Sequence, residues 1–280
     1  MAIHTNIKLF RGGEPIMNKP LISVVMSVYN DESYLAYALE SIIDQTFKDW
    51  ELVIINDGST DNTEKIIYSY MKKTTKIRLI NNESNIGLSA SLNKGILASR
   101  SDIILRVDSD DVNLPDRFSR QFDYLRRNID IDVVGSSAYL INDKGESIGL
   151  VNVPTLHNEI VSLSFFHTFF LHPSVAIRRS FFDRVGLYDD TFRRGQDKEL
   201  WMRGRDLGSH YANIEEPLIK YRQQRSKMSF KNIYLEVKTM SRLGIQHKVN
   251  YWPFYVLLVL IRLSLIKLRF YRPNSTKGNN

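Results

Sequence analysis

From Pro20 onward the chain alternates short apolar runs with stretches of helical spacing. LISVVMSVYN (21–30) is apolar and β-branched, ESYLAYALESIIDQ (32–45) sets its apolar residues three and four apart, and ELVIINDGST (51–60) is a second apolar run ending in turn residues. Runs of this kind predict strands buried on both faces, and the 3.6-residue period predicts amphipathic helices between them. DNTEKIIYSYMKK (61–73) adds a helix, KIRLINN (76–82) a strand, GLSASLNKGILAS (87–99) a helix and DIILRV (102–107) a fourth strand. Four strands joined by helices predict an α/β fold with a doubly wound parallel sheet whose functional residues lie at strand C-termini. Asn30, Asp57, Asn85 and Asp108 are expected at such ends.

Beyond Pro115 the rhythm changes to a helix over DRFSRQFDYLRR (116–127), a hairpin turning at NDKG (142–145) and mixed elements to about residue 222. The pattern divides the chain into an extension (1–19), a regular half (20–112), a less regular half (113–229) and a basic amphipathic tail (230–280). No internal repeat occurs, and only the final PNSTKGNN has the composition of a disordered segment.

The formal charge is +7 over 280 residues, but it is unevenly placed. Residues 231–280 hold nine Lys/Arg against the single acid Glu236, a net +8 that leaves residues 1–230 at −1. A local anionic partner such as a lipid surface fits this better than nucleic acid does. Within the tail, WPFYVLLVLI (252–261) is ten apolar residues closed by Arg262, with Lys267, Arg269 and Arg272 following. Spanning a bilayer takes roughly 20 apolar residues, so the expectation is an interfacial helix, with packing of that helix on the body as the alternative. Absence of cysteine excludes disulfides and thiolate metal sites and suits a reducing compartment. Residues 1–20 lack the apolar stretch of an export signal, and Met17 is a candidate start. Together these features predict a cytoplasmic protein, peripheral on the cytoplasmic face of the membrane.

Chemistry enters with DSDDV (108–112), which sets Asp108, Asp110 and Asp111 directly after a buried strand. Like charges so close need a cation among them. Mg²⁺ takes one or two carboxylates and fills its other positions with water and phosphate oxygens, which makes a nucleoside diphosphate the natural second ligand. The same five residues also fit the D-x-D-x-[TV] pattern of haloacid-dehalogenase-like phosphatases, although there the motif follows the first strand and here it follows three βα units. In IINDGSTDNT (54–63) the expectation is a turn at Asp57-Gly58, a helix capped by Ser59, Thr60 or Asp61, and a carboxylate at Asp57 able to accept from a base N–H or a ribose hydroxyl. Neither G-x-G-x-x-G nor G-x-x-x-x-G-K-[ST] occurs.

ISVVMSVYN (22–30), WELVIINDGSTDNT (50–63), NIGLSASLNKGI (85–96) and DIILRVDSDD (102–111) with PDR (115–117) resemble the nucleotide-sugar half of family 2 glycosyltransferases with a GT-A fold. LHPSVAIRRS (171–180) and GQDKELWMR (195–203) resemble the acceptor half, so the likeness covers residues 20–225. It implies a Rossmann-like, mostly parallel sheet with residues 20–112 binding the nucleotide-sugar, a merged acceptor-binding and catalytic half over 113–229, and a C-terminal helical tail. Ser27, Tyr29 and Asn30 would lie beside the donor nucleoside, Asp57 would partner its base, and Asn85 and Lys94 would lie near the ribose or diphosphate. Asp108 and Asp110 fill the D-x-D positions, Asp110 foremost as ligand of Mg²⁺ or Mn²⁺, with Asp111 either a further ligand or a partner of one. Asp197 would be the catalytic base, although Gln196 stands where the family usually has Glu; the bare alternative is a first-turn helix charge. His172 would face the acceptor, and Trp201 is core or an acceptor platform, with core the better reading. After Tyr221-Arg222, where the family commonly has a His, stand Gln223 and Gln224, so any positive charge there would come from Arg222 or Arg225.

The resemblance implies a metal-dependent, inverting transfer of a hexose or N-acetylhexosamine from a nucleotide-diphosphate sugar, UDP favoured, to a glycan or lipid-linked hydroxyl in surface-polysaccharide assembly. One base suffices, because a pre-activated donor needs no acid on its leaving group. The rival readings are a metal-dependent phosphatase and a non-catalytic scaffold that binds sugar nucleotides at a membrane.

Overall fold

The first seven elements follow the expected alternation: β1 (Ile22–Val28), α1 (Leu35–Ile43), β2 (Trp50–Asn56), α2 (Thr63–Met71), β3 (Ile77–Asn81), α3 (Leu88–Ala98) and β4 (Ile103–Val107). They come from a computed structural model that describes residues 19–162, 169–223, 230–250, 252–254 and 256–257. The four strands are parallel in the order β3-β2-β1-β4, and every residue of β2 and β4 is buried, as continuous apolar runs require.

The chain then adds β5 (Val112–Asn113), α4 (Arg117–Arg127), β6 (Val133–Ile141), β7 (Ser147–Val151), α5 (His157–Ser162), a 3₁₀ turn (His172–Ser174), β8 (Ala176–Arg178), α6 (Arg179–Val185), α7 (Gln196–Asp206), β9 (Tyr211–Arg222) and α8 (Phe230–Gln246). β8 joins β4 antiparallel and carries the sheet on through β6, β9 and β5, while β7 pairs with β6. One nine-stranded sheet therefore runs through both halves, parallel in the first and mixed in the second. The hairpin at NDKG forms as expected: Asn142 Oδ1 accepts from the N–H groups of Lys144 (2.9 Å) and Glu146 (3.0 Å), and Gly145 takes φ +82°.

Apolar side chains fill both faces. α1 and α4 cover one with Leu39, Ile42, Phe118 and Leu125, and α3, α6, α7 and α8 cover the other with Leu92, Phe181, Trp201 and Leu243. Met240, Leu243 and Val249 lie in this second core, so the first part of the basic tail packs on the body. Of the expected interfacial helix, 252–254 and 256–257 are described and Trp252 packs against this core, while Arg262, Lys267, Arg269 and Arg272 lie outside the described residues, as do Gln224, Arg225, Met17 and the final eight. Among the described residues no helix is long and apolar enough to cross a membrane.

Two local expectations are corrected. Helix α2 begins at Thr63 with Asn62 as its cap position, because Ser59 and Thr60 are engaged by the neighbouring loop and Asp61 Oδ1 instead accepts from Thr63 N at 2.9 Å. Asn85 is not at a strand end: β3 stops at Asn81, and Asn82 follows it directly.

The N-terminal ends of the strands are pinned by one buried acid. Glu51 is 1% exposed and accepts from Ser23 Oγ (2.7 Å), Arg100 N (2.7 Å), Arg100 Nε (2.8 Å) and Arg78 Nη1 (3.1 Å), tying β1, β2, β3 and the α3–β4 turn together. Burial alone would raise its carboxyl pKa, but these four donors outweigh burial and hold it below the usual glutamate value. A folded-state pKa below the unfolded one gives stability that is present above the unfolded value and is lost as pH falls through the folded one. Glu51→Ala is therefore expected to lower unfolding free energy by about 2–3 kcal/mol in urea titration at neutral pH. The difference from the parent should narrow on acidification through the carboxylate range.

Candidate active site

The tip of β4 carries a crowd of acids. Asp108, Asp110 and Asp111 each offer an oxygen, and these oxygens all lie within 4.8 Å of one another. A fourth acid, Asp31, reaches the same place, accepting from Ser109 Oγ at 2.6 Å and feeling the charges of Arg222 and Asp108. Burial first, then Asp108 and Asp110, push the Asp111 carboxyl well above the ordinary aspartate value. Its Oδ1 accepts from Arg222 N at 2.7 Å, and its buried Oδ2 has no hydrogen-bond partner.

Three guanidinium groups surround these acids. Arg106, inside β4 and 4% exposed, pairs with Asp108. Arg117, the Arg of PDR, donates to Gln121 Oε1 (3.0 Å), Asn113 Oδ1 (2.5 Å) and the Arg106 carbonyl (2.8 Å), which fixes the end of β4. Arg222 donates from Nε to the Asp110 carbonyl (2.9 Å) and from Nη1 to the Asn142 carbonyl (2.7 Å), and lies over the Tyr34 ring at 4.1 Å. It is a positioning group for the acidic loop. Clustered carboxylate oxygens, one of them buried and unpaired, fit a hard divalent cation such as Mg²⁺ or Mn²⁺.

On the β2 and β3 side, Asp57 is 2% exposed and shapes the loop beyond β3. Oδ1 accepts from Asn82 Nδ2 (2.8 Å) and Ile86 N (2.9 Å), and Oδ2 accepts from Gly87 N (2.9 Å), which leaves Oδ2 a lone pair for a ligand. Asn82 also donates to Ser91 Oγ (3.0 Å) and accepts from Lys94 Nζ (2.7 Å), so Lys94 is tied to Asp57 through it. Asn85 is exposed on that loop. Gly58, at φ +72°, touches the Ser84 backbone so closely that a Cβ would stand 2.7 Å away, which locks the two loops together. Asn30 takes φ +49°, donating from N to Ser59 Oγ (3.0 Å) and accepting at Oδ1 from Thr60 N (2.8 Å), with exposed Tyr29 and half-buried Ser27 beside it.

Asp197 lies across the sheet from α1, as the second residue of α7, whose cap position Gly195 has φ +67°. Burial raises its carboxyl pKa, opposed by the N–H groups of Lys198 and of Asp197 itself and by the charge of Arg106. Arg106 thus acts on both Asp197 and Asp111. His172 meets Tyr188 Oη through Nε2 at 2.8 Å; burial and Arg106 push its pKa well below the usual value and keep the ring neutral. Trp201 is 1% exposed and packs edge-on against Phe170 at 5.2 Å in the second core. A cavity of about 240 Å³ beside Asp197 is lined by Lys198, Trp201, Glu236, Thr239 and Met240.

Sequence reasoning missed Asn82, Asp31 and the chemistry of Arg106. Arg106 alone left a signal, a single charge inside the otherwise apolar run IILRV.

Residues 23–186 match the profile of glycosyl transferase family 2. The chain is 33% identical over 206 residues to an O-antigen biosynthesis glycosyltransferase, WbnJ, of Escherichia coli, covering 72% of this chain and 79% of that protein. It is 26% identical to the UDP-Gal:alpha-D-GlcNAc-diphosphoundecaprenol beta-1,3-galactosyltransferase of the same organism, covering 86% and 89%. Among solved structures it resembles S. aureus TarS 1-349 in complex with UDP-GlcNAc, with a TM-score of 0.66 at 17% identity, over 80% of this chain and 65% of that one. That likeness establishes the GT-A fold.

The hydrogen bonds separate the two asparagines of the β3 loop. Asn82→Ala should cost about 1–3 kcal/mol in urea unfolding, because Asp57, Ser91 and Lys94 lose a buried partner. Asn85→Ala should change stability by less than about 0.5 kcal/mol.

Proposed function

The chain belongs to glycosyl transferase family 2, and from that premise we propose that it moves a hexose or N-acetylhexosamine from a UDP-sugar to a hydroxyl of a glycan or lipid-linked oligosaccharide during surface-polysaccharide assembly. The observation that carries the reading is the acidic triad at the tip of β4, where oxygens of Asp108, Asp110 and Asp111 lie within 4.8 Å of one another. UDP as carrier is supported by the donor in the name of the galactosyltransferase relative, and the lipid-linked acceptor by the diphosphoundecaprenol in the same name. O-antigen synthesis by the WbnJ relative supports the polysaccharide context.

In this reading residues 20–112 bind the donor and residues 113–229 bind the acceptor and carry the base. Asp57, through the open lone pair of Oδ2, receives a donor from the base or ribose, with Ser27, Tyr29 and Asn30 alongside and Lys94 held near by Asn82. Asp108, Asp110 and Asp111 would hold Mg²⁺ or Mn²⁺, which when bound supplies positive charge against the departing diphosphate. Asp197 removes the proton of the acceptor hydroxyl. As that oxygen bonds the anomeric carbon, the bond from carbon to the diphosphate oxygen breaks, and the nucleoside diphosphate leaves with the bonding pair. Attack and departure on opposite faces invert the anomeric centre. Neutral His172, held by Tyr188, offers an uncharged hydrogen-bonding edge to the acceptor. The basic tail beyond α8 meets anionic lipid at the cytoplasmic face of the membrane, near a lipid-linked acceptor.

A thermal-shift panel of UDP, GDP, CMP and dTDP with and without Mn²⁺ tests the donor; UDP with Mn²⁺ should give the largest rise in melting temperature. A rise with another nucleotide alone would overturn the UDP assignment. Asp197→Asn should cut transfer by about 10²–10⁴-fold while calorimetry still registers UDP binding. Because Asp197 works ionised and burial raises its pKa, kcat/KM should fall on acidification at a higher pH than for an ordinary aspartate. Unchanged transfer in the variant would remove Asp197 from this role.

A further inference from the structure

Arg106 and Arg117 are both buried arginines at the end of β4, but their surroundings differ. Arg117 directs Nε, Nη1 and Nη2 to protein acceptors. Among the described residues Arg106 has one side-chain partner, Asp108, through Nη2, and its buried Nε and Nη1 have no hydrogen-bond partner. Close by, Asp111 Oδ2 is buried and equally unpartnered. A guanidinium with spare donors and a carboxylate with spare lone pairs share one charge cluster without satisfying each other. Each unsatisfied buried group is costly, so both are set for something that arrives later.

We propose that Arg106 is a resident counter-ion that stands in for the divalent cation: it neutralises Asp108 in the free protein and gives that carboxylate up when ion and donor diphosphate bind together. The inference rests on the metal-dependent reading above. Asp108 cannot be fully shared, because a guanidinium and a divalent ion on one carboxylate repel each other. Ion affinity is therefore held down until diphosphate brings its own negative charge, and the freed Arg106, with unpaired Nε and Nη1, has phosphate oxygens to turn to. Ion and nucleotide become coupled ligands, each tightening the other by the same factor.

Ion binding without turnover tests this. Mn²⁺ is titrated calorimetrically into wild type and Arg106→Gln, without nucleotide and with saturating UDP. Without nucleotide, Arg106→Gln should bind Mn²⁺ about tenfold tighter, because a buried positive charge has been removed; Arg106→Lys should stay near wild type. The tightening of Mn²⁺ by UDP should shrink in Arg106→Gln by a similar factor. Equal or weaker Mn²⁺ binding by folded Arg106→Gln overturns the proposal and leaves the metal site standing. No Mn²⁺ binding by wild type in either condition overturns the metal reading and this proposal together. Should Arg106→Gln fail to fold, nitrogen-15 NMR of wild type decides: on addition of Mg²⁺ and UDP the Arg106 Nε–H resonance should move and that of Arg117 should not. A stationary Arg106 signal while the amides of Asp108 to Asp111 shift overturns the proposal.

Discussion

The structure is organised by the repulsion among acids at the tip of β4. Four carboxylates, those of Asp31, Asp108, Asp110 and Asp111, converge there, and three arginines from β4, α4 and β9 are placed to tolerate them. Each arginine belongs to a different stretch of sequence, so the site exists only once the second half has folded against the first. β9 must be in register for Arg222 N to reach Asp111, and α4 must be seated for Arg117 to hold the Arg106 carbonyl. The sheet that runs through both halves supplies that register.

The side beyond β2 and β3 is built differently. Its loops are tied by amide, hydroxyl and backbone N–H donors: Asn30 to Ser59 and Thr60, the Asp57 carboxylate to Asn82, Ile86 and Gly87, and Gly58 against Ser84. Hydrogen bonds of this kind define a shape without depending on a counter-ion. The protein thus combines a hydrogen-bonded loop framework around Asp57 with a charge cluster at the tip of β4. The Glu51 network, at the opposite end of the strands, contributes rigidity without facing the site.

Periodicity made the parallel half legible because its strands are buried on both faces and its helices are amphipathic, so local pattern and tertiary environment agree. The hairpin at Asn142–Gly145 was equally readable from turn chemistry. Roles set by partners distant in sequence were harder to read. Asn82 and Asn85 look alike in a string of letters, and only the fold shows that the first bridges Asp57, Ser91 and Lys94. The cap of α2 was misplaced for the same reason, since Ser59 and Thr60 answer to Asn30 on another loop. For Asp111, adjacency revealed the crowding, but its single partnered oxygen depends on a residue 111 positions away.

Helix α8, from the basic tail, lends Glu236, Thr239 and Met240 to the wall of the cavity at Asp197. The C-terminal segment and the start of α7 consequently share one wall. An engineer who exchanged that segment would also reshape the space beside Asp197, and changes to the two would be inherited together.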